Sequence, residues 1–167
     1  MATTYSPIAT TTLGSASGSV TFSNISGNYT DLVLVCSIKR TTGGAELWAR
    51  LNGDTGSNYS ATYLYGTGSS AASSRDSNLS NGMYFGVTGP NNFGVFIFNL
   101  QNYSNTATYK TAISRFSNAT PESGYAAVGS FVSLWRSTSA VTSIEVRDAG
   151  STFVSGSTFT LYGVKAA

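Results

Sequence analysis

Asp31-Leu32-Val33-Leu34-Val35-Cys36-Ser37-Ile38-Lys39 is the stretch whose reading decides the fold class. Leu32 to Cys36 is apolar on both faces of an extended chain, and its β-branched residues suit a pleated sheet. A central strand is expected over 31–39. Working outward, the same period of two recurs and helical periodicity is nearly absent. Upstream, Val20 and Phe22 alternate with Thr21 and Ser23. Downstream, 45–51 sets Leu47, Ala49 and Leu51 against Glu46, Trp48 and Arg50, and 59–65 aligns Tyr59, Ala61, Tyr63 and Tyr65. Further strands are expected over 83–87, 93–100, 107–116, 125–135, 141–147 and 157–164. Turn residues separate them, among them Asn52-Gly53-Asp54 and Gly89-Pro90-Asn91-Asn92. Strands of this number and spacing predict a sandwich or barrel.

The best-patterned strands also nominate a core: Leu34, Cys36, Phe96, Phe98, Val132, Leu134 and Ile144. A chain of 167 residues fits one domain and buries enough surface to need no disulfide or metal. Its one cysteine, Cys36, lies in the apolar run and reads as a buried, inert thiol. Nine Lys and Arg against seven Asp and Glu leave a net charge of +2. The basic residues are scattered, with only Lys39 and Arg40 adjacent, so no nucleic-acid footprint is expected. Serine and threonine supply 49 residues, so hydroxyls rather than charges make the surface polar. The first seven residues have neither the positive region nor the apolar stretch of a secretory signal. No segment approaches the roughly 18 apolar residues of a spanning helix, so no membrane partner is expected.

The sequence also removes whole classes of chemistry. It contains no histidine, which rules out Ser-His-Asp and Cys-His catalysis and imidazole ligation of metals. The seven carboxylates, Asp31, Glu46, Asp54, Asp76, Glu122, Glu145 and Asp148, carry no paired-acid signature. Glu46, two residues from Trp48, is the one acid with an aromatic neighbour on its strand face. Asn52, Asp54 and Asn58 offer oxygens without the spacing of a calcium loop and read as a polar hairpin turn. Gly66-Thr67-Gly68 precedes no helix and cradles no phosphate. The expectation is a protein without catalytic activity, metal or cofactor. Tyr59, Tyr63 and Tyr65 read first as core or interface, and in the alternative as a stacking platform for a sugar ring.

Two stretches lack pattern. Residues 1–19 are rich in Ser, Thr and Gly, and are expected to be an arm or an edge strand beside a single sandwich domain over 20–167. Residues 66–82 show no apolar pattern and are expected to be a long loop. Both nominate contact elements: Tyr5, Pro7 and Ile8 in the arm, Arg75 and Asp76 in the loop.

Five stretches in order carry a resemblance. They are Ile25-Ser26-Gly27-Asn28-Tyr29-Thr30-Asp31-Leu32-Val33-Leu34-Val35, Leu51-Asn52-Gly53-Asp54-Thr55-Gly56-Ser57-Asn58-Tyr59-Ser60, Tyr109-Lys110-Thr111 after Asn102-Tyr103, Trp135-Arg136-Ser137-Thr138-Ser139-Ala140-Val141-Thr142-Ser143-Ile144, and Gly156-Ser157-Thr158-Phe159-Thr160-Leu161-Tyr162-Gly163-Val164. From about Val20 onward the chain resembles small structural proteins of tailed bacteriophages, especially those of cyanobacterial phages. The resemblance implies a jelly-roll-like antiparallel β-sandwich, here of about 8–10 strands, and self-association, often as a homotrimer. It implies a virion component: a capsid cement (decoration) protein on the capsid surface, bound to the major capsid protein, or in the alternative a tail-fibre or receptor-binding module contacting host surface glycans through Tyr59, Tyr63 and Tyr65. The first 19 residues carry no recognisable anchoring motif of that family.

Overall fold

The computed structural model describes residues 4–118 and 127–165, which hold twelve β-strands and no helix. In chain order these are β1 (Tyr5–Thr12), β2 (Ser19–Phe22), β3 (Asp31–Ile38), β4 (Ala45–Leu51), β5 (Tyr59–Gly66), β6 (Ala71–Leu79), β7 (Met83–Thr88), β8 (Gly94–Gln101), β9 (Lys110–Ser117), β10 (Val128–Trp135), β11 (Ile144–Asp148) and β12 (Thr158–Val164). They form an antiparallel β-sandwich. One sheet has eight strands in the order β1-β12-β3-β8-β9-β10-β5-β6, and the other has four in the order β2-β11-β4-β7.

The pairing is nested. β1 pairs with β12, β2 with β11, β3 with β8 and β4 with β7, and successive pairs fall in alternate sheets. Contacts of β12 with β3 and of β11 with β4 roll this long double ribbon into a jelly roll. The remaining four strands are two inserted hairpins. β5–β6 lies between β4 and β7 in the chain, β9–β10 between β8 and β11, and together they extend the large sheet beyond β8. The excess over the expected 8–10 strands has two sources, β1 and β6, both drawn from the stretches without pattern.

Period-two alternation builds the core. Leu34, Cys36, Phe96, Phe98 and Ile144 are buried as expected. Across the inner face of the large sheet, rings form a ladder: Phe96 to Phe116 at 5.9 Å between centroids, Phe116 to Phe131 at 5.4 Å, and Phe131 to Tyr63 at 5.2 Å. β7 closes over it, with Phe85 on Phe96 and Tyr84 on Phe131.

The expected face of β10 is inverted. Phe131 is 2% exposed and Trp135 is buried, whereas Val132 is 55% exposed and Leu134 is only half-buried. The aliphatic side chains face out because the inner positions are claimed by specific neighbours. A Cβ on Gly129 would stand 2.5 Å from the Phe116 ring, so only glycine lets that ring lie there. Ser133 is buried because it and Ser114 donate hydrogen bonds to the Tyr84 carbonyl, at 3.4 and 3.3 Å. That carbonyl lies beside the bulge in the pairing of β4 with β7.

Residues 71–79 are a strand rather than part of a loop, with a turn closed by Thr67 N–H on the Ser70 carbonyl at 2.9 Å. The arm is likewise β1, hydrogen-bonded to β12 from Tyr5↔Val164 to Thr12↔Thr158. The expected strand start at 125, and Glu122, fall outside the described residues.

Two buried cations are structural. Arg40 Nη2 meets Asp148 Oδ1 at 2.7 Å, and that oxygen also accepts the Gly150 and Ser151 amides. Lys110 Nζ donates to the carbonyls of Thr108 and Thr138 at 2.8 and 3.2 Å.

Candidate interaction surfaces

The outer face of the large sheet is the largest departure from ordinary surface chemistry. Register places its side chains in rows. One runs Val35, Ile97, Arg115, Ser130, Leu64, Ser73; the next runs Val33, Asn99, Ile113, Val132, Thr62, Arg75; a third ends Val95, Ser117, Val128, Gly66, Ala71. Leu64, Val95, Ile113, Val128 and Val132 are all exposed. Five exposed aliphatics gathered on one face form a patch of the kind that marks an interface, unlike apolar residues scattered singly. Arg115 stands among them, and no carboxylate occurs in these rows. Neither Arg115 nor Arg75 has an ion-pair partner among the described residues.

At one end of this face lies a hollow of about 470 Å³, bordered by Leu64, Arg115, Val128 and Ser130, with Gly66, Gly129 and Ala71 leaving room between them. It adjoins β6, which is one edge of the sheet. From Ala71 to Asp76 the register of β6 with β5 is regular, and the irregularity falls beyond, near Asn78. The opposite edge is β1, where Pro7 lacks an N–H and a bulge follows at Ile8.

The residues nominated from the sequence fall into different environments. Tyr5 and Pro7 are exposed on β1, while Ile8 packs against the core. Arg75 points outward from β6; Asp76 is half-buried and accepts the Tyr63 hydroxyl at 2.9 Å. The three tyrosines do not make an open platform. Tyr59 is 0% exposed, stacks on Trp135, and donates its hydroxyl to the Leu51 and Asp54 carbonyls. Burial pushes its phenol well above the ordinary range. Tyr63 and Tyr65 are half-buried, and Tyr63 is held in the ring cluster by Phe131 and Tyr84. Trp48 is buried against Tyr84 at 4.2 Å, so Glu46 has no open aromatic face beside it.

Asp54 organises the turn from β4 to β5. Its carboxylate accepts Trp135 Nε1 at 2.6 Å, Asn58 Nδ2 at 2.9 Å and the Gly56 amide at 2.7 Å. Burial acts to raise its pKa, but these bonds and the Arg50 charge outweigh that and hold the carboxyl below its usual value. Asn52 turns its side chain to Ala140, Thr142 and Ser143 instead. The three candidate oxygen donors therefore do not converge: Asn52 faces the 140–143 segment, and Asn58 turns its amide nitrogen, not its oxygen, to Asp54.

Compared with the models of known protein families and with curated protein sequences, the chain matches none.

The apolar outer face escaped sequence reading, although its signal was present. Hydrophobicity alone points Val132 and Leu134 inward. The two aromatic rings of β10, Phe131 and Trp135, share a face with Gly129 and Ser133, and rings spaced by small residues are the clue to the buried side.

Proposed function

We propose that this chain is a structural subunit of a tailed-phage virion, a capsid cement protein without catalytic activity that binds the assembled shell and stabilises capsomer junctions. The observation that carries this reading is the uncovered apolar outer face of the large sheet, centred on Ile113 and Val132. Such a face gains free energy when another protein excludes water from it, at about 25 cal/mol per Å² of apolar surface. Binding only the assembled shell stabilises the shell by mass action. Contacts with further copies of the chain, as a homotrimer, follow from the same resemblance.

Quantitative mass spectrometry of purified particles, with cryo-electron microscopy of the head, tests the proposal. A copy number that follows the capsomers, with density over their junctions, is the expected result. A copy number matching a single tail, or absence from particles, overturns it.

A further inference from the structure

We propose that the β6 edge and the hollow beside it form an acceptor site for an extended segment of another protein chain. That segment pairs with β6, fills the hollow with a bulky apolar side chain, and continues across the hollow to bring a carboxylate to Arg115, three strands in from the edge. The inference deepens the cement reading and rests on it for one point, that the segment belongs to a shell subunit.

Three observations converge. First, β6 is an open edge among the described residues: its only strand neighbour is β5, and Ala71 to Asp76 run in regular register without proline. Its side chains there are small up to Ser74, so an incoming strand reaches the main chain unobstructed. Second, the hollow of about 470 Å³ lies where Ala71 and Ala72 meet Leu64, Val128 and Gly129. It falls in the size range of binding pockets and is walled largely by carbon. A strand laid along β6 would hold alternate side chains over this face. Third, Arg115 borders the hollow, exposed and without a carboxylate partner among the described residues. A guanidinium in an apolar setting recognises a carboxylate through paired hydrogen bonds.

A second copy does not supply the occupant through its own β6. That strand brings alanine and serine to the hollow, and its acid, Asp76, is engaged by Tyr63. A free anionic amphiphile would fill the hollow and meet Arg115 but leave the β6 main chain unused.

The test is selection of a displayed random-peptide library on the full chain, followed by affinity measurement with synthetic peptides. Selected sequences are expected to combine a large apolar residue with Asp or Glu. Arg115→Glu should lower their affinity about 10-fold or more and shift a repeated selection to Lys and Arg. Ala71→Trp should block binding by filling the hollow. Alternate N-methylation of the peptide backbone should abolish it, as strand addition demands. Both protein variants alter exposed positions, and an unchanged melting temperature checks that each folds.

Failure to enrich any sequence overturns the proposal. So does binding indifferent to Arg115→Glu and Ala71→Trp. Binding that tolerates N-methylation and is displaced by decanoate overturns it in favour of a small amphiphile site. Peptide binding here by a chain that is missing from virions keeps the acceptor site and removes the cement reading. Full decoration of particles by both variants does the reverse.

Discussion

The two edges of the large sheet are built from similar sequence and behave differently. β1 and β6 are both polar, rich in small and hydroxylated residues, and exposed at most positions. β1 belongs to the jelly roll itself: it pairs with β12, tucks Ile8 against the core, and breaks its outer edge with Pro7 and a bulge. β6 is the far strand of an inserted hairpin; among the described residues its only strand partner is β5, and its outer edge is regular and open from Ala71 to Asp76. The first edge is blunted against further pairing and the second is not. Edge strands of like composition thus separate into one that completes the fold and one that leaves the fold available to a partner.

Deletion offers the sharpest way to break this comparison. Removing residues 2–12 exposes the β12 ladder and unseats Ile8, and should cost more than about 4 kcal/mol, since several hydrogen bonds at roughly 1 kcal/mol each go with apolar packing. Replacing residues 71–79 with a short Gly-Ser linker should cost less than half as much. Urea denaturation of both variants decides it, and equal losses would erase the distinction between the edges.

Core truncations ask the same question of the two ends beneath the edges. Phe131→Ala, in the inserted part, should cost about 3–5 kcal/mol, and Leu34→Ala, in the roll, about 2–5 kcal/mol. A loss below about 1 kcal/mol at Phe131 (well short of a buried aromatic) would mean that the hairpins are only loosely applied to the roll.

Asp54 joins the two parts, at the turn where the inserted hairpin leaves β4. Asp54→Asn should cost about 1–3 kcal/mol at neutral pH, through weakened hydrogen bonds from Trp135, Asn58 and Gly56. Its folded-state pKa lies below the ordinary value of 3.8, so the unfolded chain takes up the proton first on acidification. The contribution is complete above that value and disappears as the pH falls through the lower, folded-state one. Denaturation curves of wild type and variant should therefore converge in strong acid, and a constant gap would assign the effect to shape rather than charge. The smallest expected change is Val132→Ser, within about 0.5 kcal/mol because the side chain is exposed. A larger loss would show that the outer face is already covered in solution by a second copy, which sedimentation would reveal.

By itself the sequence determined the class of fold and ten of the strands, because alternation is a local property set by the pleat and needs only one buried face. It also placed Leu34, Cys36, Phe96 and Phe98 of β3 and β8 in the core, where they are buried, although both strands carry apolar residues on both faces. Tertiary structure decided what local pattern does not encode. β1 and β6 are strands because a neighbour's main chain pairs with theirs, and an edge strand exposed on most of its side chains needs no apolar alternation. The face of β10 was decided by Phe116 over Gly129 and by the Tyr84 carbonyl over Ser133, contacts between residues far apart in the chain. Those contacts turned Val132 and Leu134 outward. Only their turning out, beside Ile113 on the neighbouring strand, gathered single aliphatic residues into a surface.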